Sequence, residues 1–247
     1  AKVPKKKHEL YWSLGKTDSG VGNPYYYIRY HPLNLKQDII IIGGEDQKTG
    51  QETYDSFYSL ERFAKKIGVK KIDYKWSGQV FEPSDYCAFI GKTPGEKSYL
   101  VTGISGNGMT YAAIASMIIP DLILKKENKY SKIYDPDRKP IKALKEFITE
   151  NANVAKQYFE YFRKDSLKKI KKDQGAILHK TIKKLALYKD KNGKVHSFSA
   201  ICPHLGCIIH WNSDEKSFDC PCHGSRFSYE GKVISGPANI DLKKEKN

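Results

Sequence analysis

The sequence predicts an α+β chain in which a region of mixed sheet plus helices is followed by a small all-β domain. Three observations predict it. Between about residues 25 and 138, aromatic and β-branched runs alternate with longer helical periodicities. From about residue 171 onward, only short alternating runs bounded by turn residues remain. Two matching clusters of cysteine and histidine, at 202–207 and 220–225, fall in the turns of that last part. The expected divisions are 1–138, a linker helix within 139–170, and 171–247.

In chain order, Tyr25 to Tyr30 follows Asn23-Pro24 and reads as a strand, as does Asp38 to Ile42, which Gly43-Gly44 ends. From Glu52 to Lys66, apolar residues at Tyr54, Phe57, Tyr58, Phe63 and Ala64 keep a helical spacing that continues to Ile67 and stops at Gly68. Lys71 to Trp76 alternates again and predicts a strand. Ala88 to Gly91 and Tyr99 to Gly103 predict short strands, and the second runs through the glycine-rich Ile104 to Thr110 into an apolar helix from about Tyr111 to Leu124. Amide groups at such a helix start point outward with positive potential and suit a phosphate, a carboxylate or an electron-rich carbonyl.

Asp135 to Pro140 is a charged, turn-rich break. The following helix is expected from about Ile141 to Arg163, with Ile141, Leu144, Phe147, Ile148, Val154, Ala155, Tyr158, Phe159 and Phe162 on an apolar stripe suited to packing between domains. Strands are then expected at Ala176 to His179, Lys183 to Tyr188 and Val195 to Ala200, with a hairpin turn at Lys191 to Gly193. Ile208 to Trp211 and Lys216 to Asp219 bracket a second hairpin at Asn212 to Glu215, and Tyr229 to Lys232 forms another turn.

The chemistry lies in the two clusters. The first reads Cys202-Pro203-His204-Leu205-Gly206-Cys207 and the second Cys220-Pro221-Cys222-His223-Gly224-Ser225, a C-x-H and a C-x-x-H separated by fifteen intervening residues. Glycine and proline at matching places suit tight loops that turn backbone N–H groups inward, towards metal-bound sulfur. A structural zinc site is the alternative for ligands at these spacings. Against it stand the unlike ligand patterns of the two loops and the two further cysteines.

On these residues the last part resembles the Rieske iron-sulfur family. The resemblance implies a 2Fe-2S cluster in which Cys202 and Cys220 hold the inner iron and His204 and His223 the outer one, a ligand set that raises the potential above that of all-cysteine clusters. It also implies a disulfide between Cys207 and Cys222, as in Rieske proteins of respiratory chains, and a shielding segment at Gly236-Pro237-Ala238. In the high-potential branch, the serine of C-P-C-H-G-S and a tyrosine two residues later donate hydrogen bonds to the cluster. This chain keeps Ser225 but has Phe227 at the second place, with Tyr229 the residue that would have to fold back in its stead. Cys87, His179 and His196 lie away from the loops and read as structural.

The earlier part carries a second resemblance. Tyr25 to Arg29, Ile40 to Asp46, Trp76-Ser77-Gly78, Phe89-Ile90-Gly91 and the Gly103 to Thr110 turn are similar to the C-terminal half of flavoproteins of the D-amino-acid oxidase type, over about residues 8–138. The resemblance implies that Gly106, Asn107, Gly108 and Met109 close over an FAD and that a small amine or amino-acid-like substrate is oxidised. No G-x-G-x-x-G follows a strand, so the chain is expected to be a fragment of a longer FAD-dependent oxidoreductase, and not to retain FAD by itself.

Two functions follow as expectations. In one, electrons from a flavin pass through the cluster to an external acceptor or donor protein. In the other, the chain is a stand-alone Rieske carrier on a non-catalytic scaffold. The net charge is +15, yet only five of 43 basic residues are arginine, which reads as solvated surface and no nucleic acid, the charge being explained by an acidic redox partner or simply by compositional drift. No run approaches about eighteen apolar residues and Ala1 to Leu10 lacks an apolar signal core, so a cytoplasmic chain without a transmembrane segment is expected.

Overall fold

The computed structural model describes residues 1–6, 9–13, 25–52, 54–139, 144–159, 170–179 and 183–245. By packing they form two compact units, one of Ala1–Ser77 with Gln157–Asn247, the other of Gly78–Lys156.

In the first unit, β1 (Lys2–Pro4), β2 (Leu10–Ser13), β3 (Tyr26–Pro32) and β4 (Gln37–Gly44) form a sheet in the order β1-β4-β3-β2. All its pairings are antiparallel, where a mixed sheet was expected. The link from β3 to β4 is a four-residue turn at 33–36, too short for the crossover that parallel strands need. α1 (Ser56–Lys66) covers one face through Ile40, Ala64 and Val69. It starts at Ser56, not at Glu52, because the Asp55 carboxylate accepts from Tyr58 N–H at 2.7 Å and so caps the helix there. The strand expected at Lys71 to Trp76 does not form. Ile72 turns into the helix–sheet core, Lys75 pairs with Glu61, and Tyr74 and Trp76 stay exposed.

The rest of this unit is the expected all-β domain. β7 (Gln174–His179), β8 (Lys184–Lys189) and β9 (Val195–Ser199) form one antiparallel sheet. β10 (His210–Asn212), β11 (Ser217–Asp219), β12 (Arg226–Ser228) and β13 (Val233–Ser235) form a second. Leu178, Leu185 and Leu187 make a core on the first sheet, while Ile208, Ile209, Phe218 and Phe227 are fully buried around the second. The hairpin at Asn212 closes as expected, its side-chain oxygen accepting from Asp214 and Glu215 N–H at 3.1 Å each. Gly175 lies under the Trp211 ring, where a Cβ would come within 2.5 Å of ring carbons, so the close approach requires glycine.

In the second unit, β5 (Phe89–Lys92) and β6 (Tyr99–Thr102) form a hairpin, followed by α2 (Gly108–Ile123), α3 (Ser131–Tyr134) and α4 (Leu144–Gln157). Ala88, Ile90, Ala115 and Ile118 make its core. Arg138 closes it with a two-point pair to Asp85 at 2.8 and 2.9 Å, bonds to the Ala88 and Cys87 carbonyls, and a guanidinium 3.9 Å from the Phe89 ring centre. Of the apolar stripe expected on α4, Phe147 and Ile148 are exposed, and Ile141 and Phe162 lie outside the described residues. No helix among the described residues is long and apolar enough to cross a membrane.

Candidate metal centre

The β10–β11 hairpin brings the two clusters together. Its register pairs His210 with Asp219, so the loop entering β10 and the loop leaving β11 emerge side by side at one end. The two loops are built alike. Cys202 N–H donates to Cys207 O and Gly206 N–H returns to Cys202 O, at 2.8 and 2.9 Å. In the other loop, Cys220 N–H donates to Ser225 O and Gly224 N–H to Cys220 O, at 2.8 and 3.0 Å. Gly206 and Gly224 both have positive φ, 81° and 77°, which L side chains rarely adopt. Cys207 and Cys222 are joined by a disulfide with Cα atoms 6.4 Å apart, as the resemblance implied.

The four remaining cluster side chains converge. Cys202 and Cys220 are buried and their sulfurs share a hydrogen bond. The hydrogen bond from Cys220 holds the Cys202 thiol down to about 6, helped by the His204 N–H and the Ser225 hydroxyl. The same contact, with burial, pushes Cys220 up, against backbone N–H groups of Cys222 and His223 that favour its thiolate. Those amides are the inward-turned donors expected of the loops. Ser225 is fully buried, and its oxygen accepts from Ala238 N–H at 3.0 Å, which aims the hydroxyl.

The His204 and His223 rings face each other edge-on at 4.9 Å, half-buried at the tip. Burial holds the His223 imidazole below its ordinary range, with the neighbouring His204 adding to it, so the neutral, metal-competent form is favoured. Both Nδ1 atoms are buried and have no hydrogen-bond partner. Two orphaned imidazole nitrogens and two buried cysteine sulfurs, carried by the same paired loops, are donors of the kinds that a mixed-ligand metal centre uses. Cys202, Cys220, His204 and His223 could hold a 2Fe-2S cluster here. The sulfurs of Cys207, Cys220 and Cys222 also lie within 4.8 Å of one another, but the disulfide uses two of them.

Elsewhere, Phe227 is fully buried and faces Phe218 across the strands. Tyr229 does not stand in for it, since its ring packs on Tyr188 at 4.8 Å and is exposed. His196 pairs with Asp190 at 3.0 Å and Cys87 is a free, half-buried thiol, both away from the loops. In the second unit, Gly106, Asn107, Gly108 and Met109 sit at the turn from β6 into α2, with positive φ at Gly103, Ser105 and Gly106 and no side-chain cap at Asn107. Met109 is 88% exposed. What the sequence did not disclose is the turn around Gly50 and Gln51, whose Nε2 donates to the Pro221 carbonyl at 2.8 Å across 170 residues. A glycine at a positive φ is its only local signal.

Comparison with known proteins agrees with this geometry. The model of the Rieske [2Fe-2S] domain matches residues 160–245. YhfW of Bacillus subtilis (strain 168), provisionally described as a Rieske 2Fe-2S iron-sulfur protein, is 35% identical over 236 residues, 90% of this chain and 45% of its own length. The cytochrome b6-f complex iron-sulfur subunit of Microcystis aeruginosa is 47% identical over 58 residues, 24% of this chain and 32% of that protein. Among solved structures, the plasma membrane Rieske protein PetC3 of Synechocystis PCC 6803 matches 29% of this chain and 73% of its own, at 29% identity and a TM-score of 0.27. The chain thus carries a Rieske 2Fe-2S electron-transfer domain and is homologous to a Rieske iron-sulfur protein. It spans less than half the length of these curated relatives.

Proposed function

We propose that the Rieske domain relays single electrons between an FAD-dependent centre, which oxidises a small amine or amino-acid-like substrate, and an external carrier protein. Cys202 and Cys220 would hold the inner iron, and His204 and His223 the outer one through Nδ1. The observation that carries the ligand assignment is the pair of buried, partnerless Nδ1 atoms on two rings that face each other at the tip of the paired loops. When bound, the cluster takes up and gives back one electron.

The chain's own residues set how readily that happens. Amides of His204, Cys222 and His223 and the Ser225 hydroxyl point at the two sulfurs and stabilise added negative charge. The disulfide holds the loops together, and exposed Pro203 and Leu205 flank His204 at the tip where a carrier can approach.

The flavin part of the reading is supported by the turn that leads from β6 into the uncapped start of α2. The match to YhfW covers 90% of this chain, so the earlier part is shared with that Rieske protein as well. The test is flavin extraction and anaerobic titration of the full-length natural protein beside this chain. FAD is expected in the full-length protein and not in the chain alone, with a panel of amines and amino acids bleaching the flavin before the cluster. A flavin-free full-length protein would leave a stand-alone carrier on a non-catalytic scaffold.

A further inference from the structure

The second cluster loop is held from outside the β domain by a turn that sits against its backbone. Gln51 N–H closes the turn on Lys48 O at 3.0 Å, placing Gly50 at the third position with φ +73°. A Cβ on Gly50 would lie 2.7 Å from Pro221 N and 2.9 Å from the Cys220 carbonyl carbon. The Gly50 carbonyl accepts from His210 Nδ1 at 2.6 Å, which assigns the proton to that nitrogen because a carbonyl cannot donate.

The ends of the turn are fixed too. Glu45 takes the hydroxyls of Tyr26 and Tyr54 on its two oxygens, and Gln47 Nε2 donates to Tyr54 O at 2.7 Å and Ser56 Oγ at 2.8 Å. The turn is therefore held at both ends by contacts of its own, besides those it makes with the loop.

Gln51 Nε2 donates to the Pro221 carbonyl at 2.8 Å. That carbonyl belongs to the peptide whose N–H, on Cys222, donates to the Cys220 sulfur. Hydrogen bonds in series polarise one another, by about 10–30% per bond. A donor on the carbonyl makes the amide hydrogen more positive, and the gain is larger when the sulfur carries more negative charge.

We infer that Gln51 is a positioning residue for the metal centre: acting through the Pro221–Cys222 peptide, it strengthens the N–H bond to the Cys220 sulfur and raises the reduction potential. The inference rests on a cluster seated between the two loops and is independent of any flavin.

The experiment uses the full chain with Gln51→Leu and Gln51→Met, both neutral and without a donor. Protein-film voltammetry is read together with iron content and melting midpoint. The equilibrium constant for reduction falls about two- to four-fold in each variant, on the order of 20 to 35 mV at about 59 mV per tenfold, with wild-type iron content. A lower melting midpoint or iron content with an unchanged potential would mean a merely structural contact and overturn the inference, as would a raised potential. If a variant loads incompletely, amide exchange of the cluster-free chain decides. Faster exchange at Cys222 supports the inference, and exchange equal to wild type overturns it.

Discussion

Replacing Phe227 with tyrosine adds one hydroxyl at a fully buried position two residues beyond Ser225, without changing the ligands. Ser225 already donates to the Cys202 sulfur, and Tyr229 is occupied against Tyr188, so the chain offers one side-chain hydroxyl where the high-potential branch of the family offers two. A hydrogen bond to a charged acceptor contributes about 1.5 to 3 kcal/mol. At about 1.4 kcal/mol per tenfold and about 59 mV per tenfold for one electron, stabilising the reduced state by that much raises the potential by on the order of 60 to 130 mV. The wild-type potential is accordingly expected below the top of the Rieske range of about −150 to +300 mV, and Phe227→Tyr is expected to raise it by that amount in protein-film voltammetry. If the hydroxyl finds no acceptor, a buried unpaired group costs stability instead, about 1 to 3 kcal/mol, and the melting midpoint drops while the potential stays. No rise in potential, or a fall, refutes the reasoning that the missing hydroxyl sets it.

Three further perturbations separate the parts of the account. Gly50→Ala pushes a Cβ into the Cys220–Pro221 backbone and strains a residue at φ +73°, so cluster loss on exposure to a chelator should be several-fold faster than in wild type; an equal half-life would show that the turn gives way. Changing Cys207 and Cys222 together to serine opens a disulfide of sequence separation 15, at a cost of about 3 kcal/mol, and should leave the four ligands but make the cluster labile in air; an unchanged lifetime contradicts this. Arg138 holds the Asp85 carboxyl below its ordinary range, chiefly by hydrogen bonding, with both side chains largely buried. A depressed carboxylate stabilises the fold above its unfolded pKa and loses that contribution as pH falls through the folded value, so hydrogen exchange in 78–156 should accelerate below about pH 4. In Asp85→Asn this acid-dependent step should be gone, and its persistence would point to another group.

The cluster loops were legible because metal ligation dictates both residue type and spacing, and because a short hairpin is the simplest way to bring two such loops together. β7, β8 and β9 were legible for a different reason: they are short runs rich in strand-forming residues bounded by turn residues, although β8 turned out to be buried on both faces from Lys184 to Tyr188. The alternation of Ile72, Tyr74 and Trp76 was equally visible, but a strand also requires ladder partners, which this segment does not make, and only Ile72 found a place in the core. β12 and β13, three residues each like β10 and β11, were not read as strands, although the turn between them at Tyr229 to Lys232 was. The β6 turn into α2 was legible as local geometry, from glycines at Gly103, Gly106 and Gly108, but glycine spacing alone does not specify a ligand. The clamp by Gly50 and Gln51 joins residues 170 positions apart through a side-chain amide and a carbonyl, an interaction with no periodicity to announce it.

The central claim is that the paired loops hold a 2Fe-2S cluster on two cysteines and two histidines. Iron, acid-labile sulfide and the EPR spectrum of the dithionite-reduced chain, purified without oxygen, test it most directly, with His204→Ala and His223→Ala beside the wild type. The account predicts about two irons and two sulfides per chain, a Rieske-type signal in the wild type, and loss of that signal in both variants. Stoichiometric zinc without labile sulfide, or a signal that survives removal of either histidine, would contradict it.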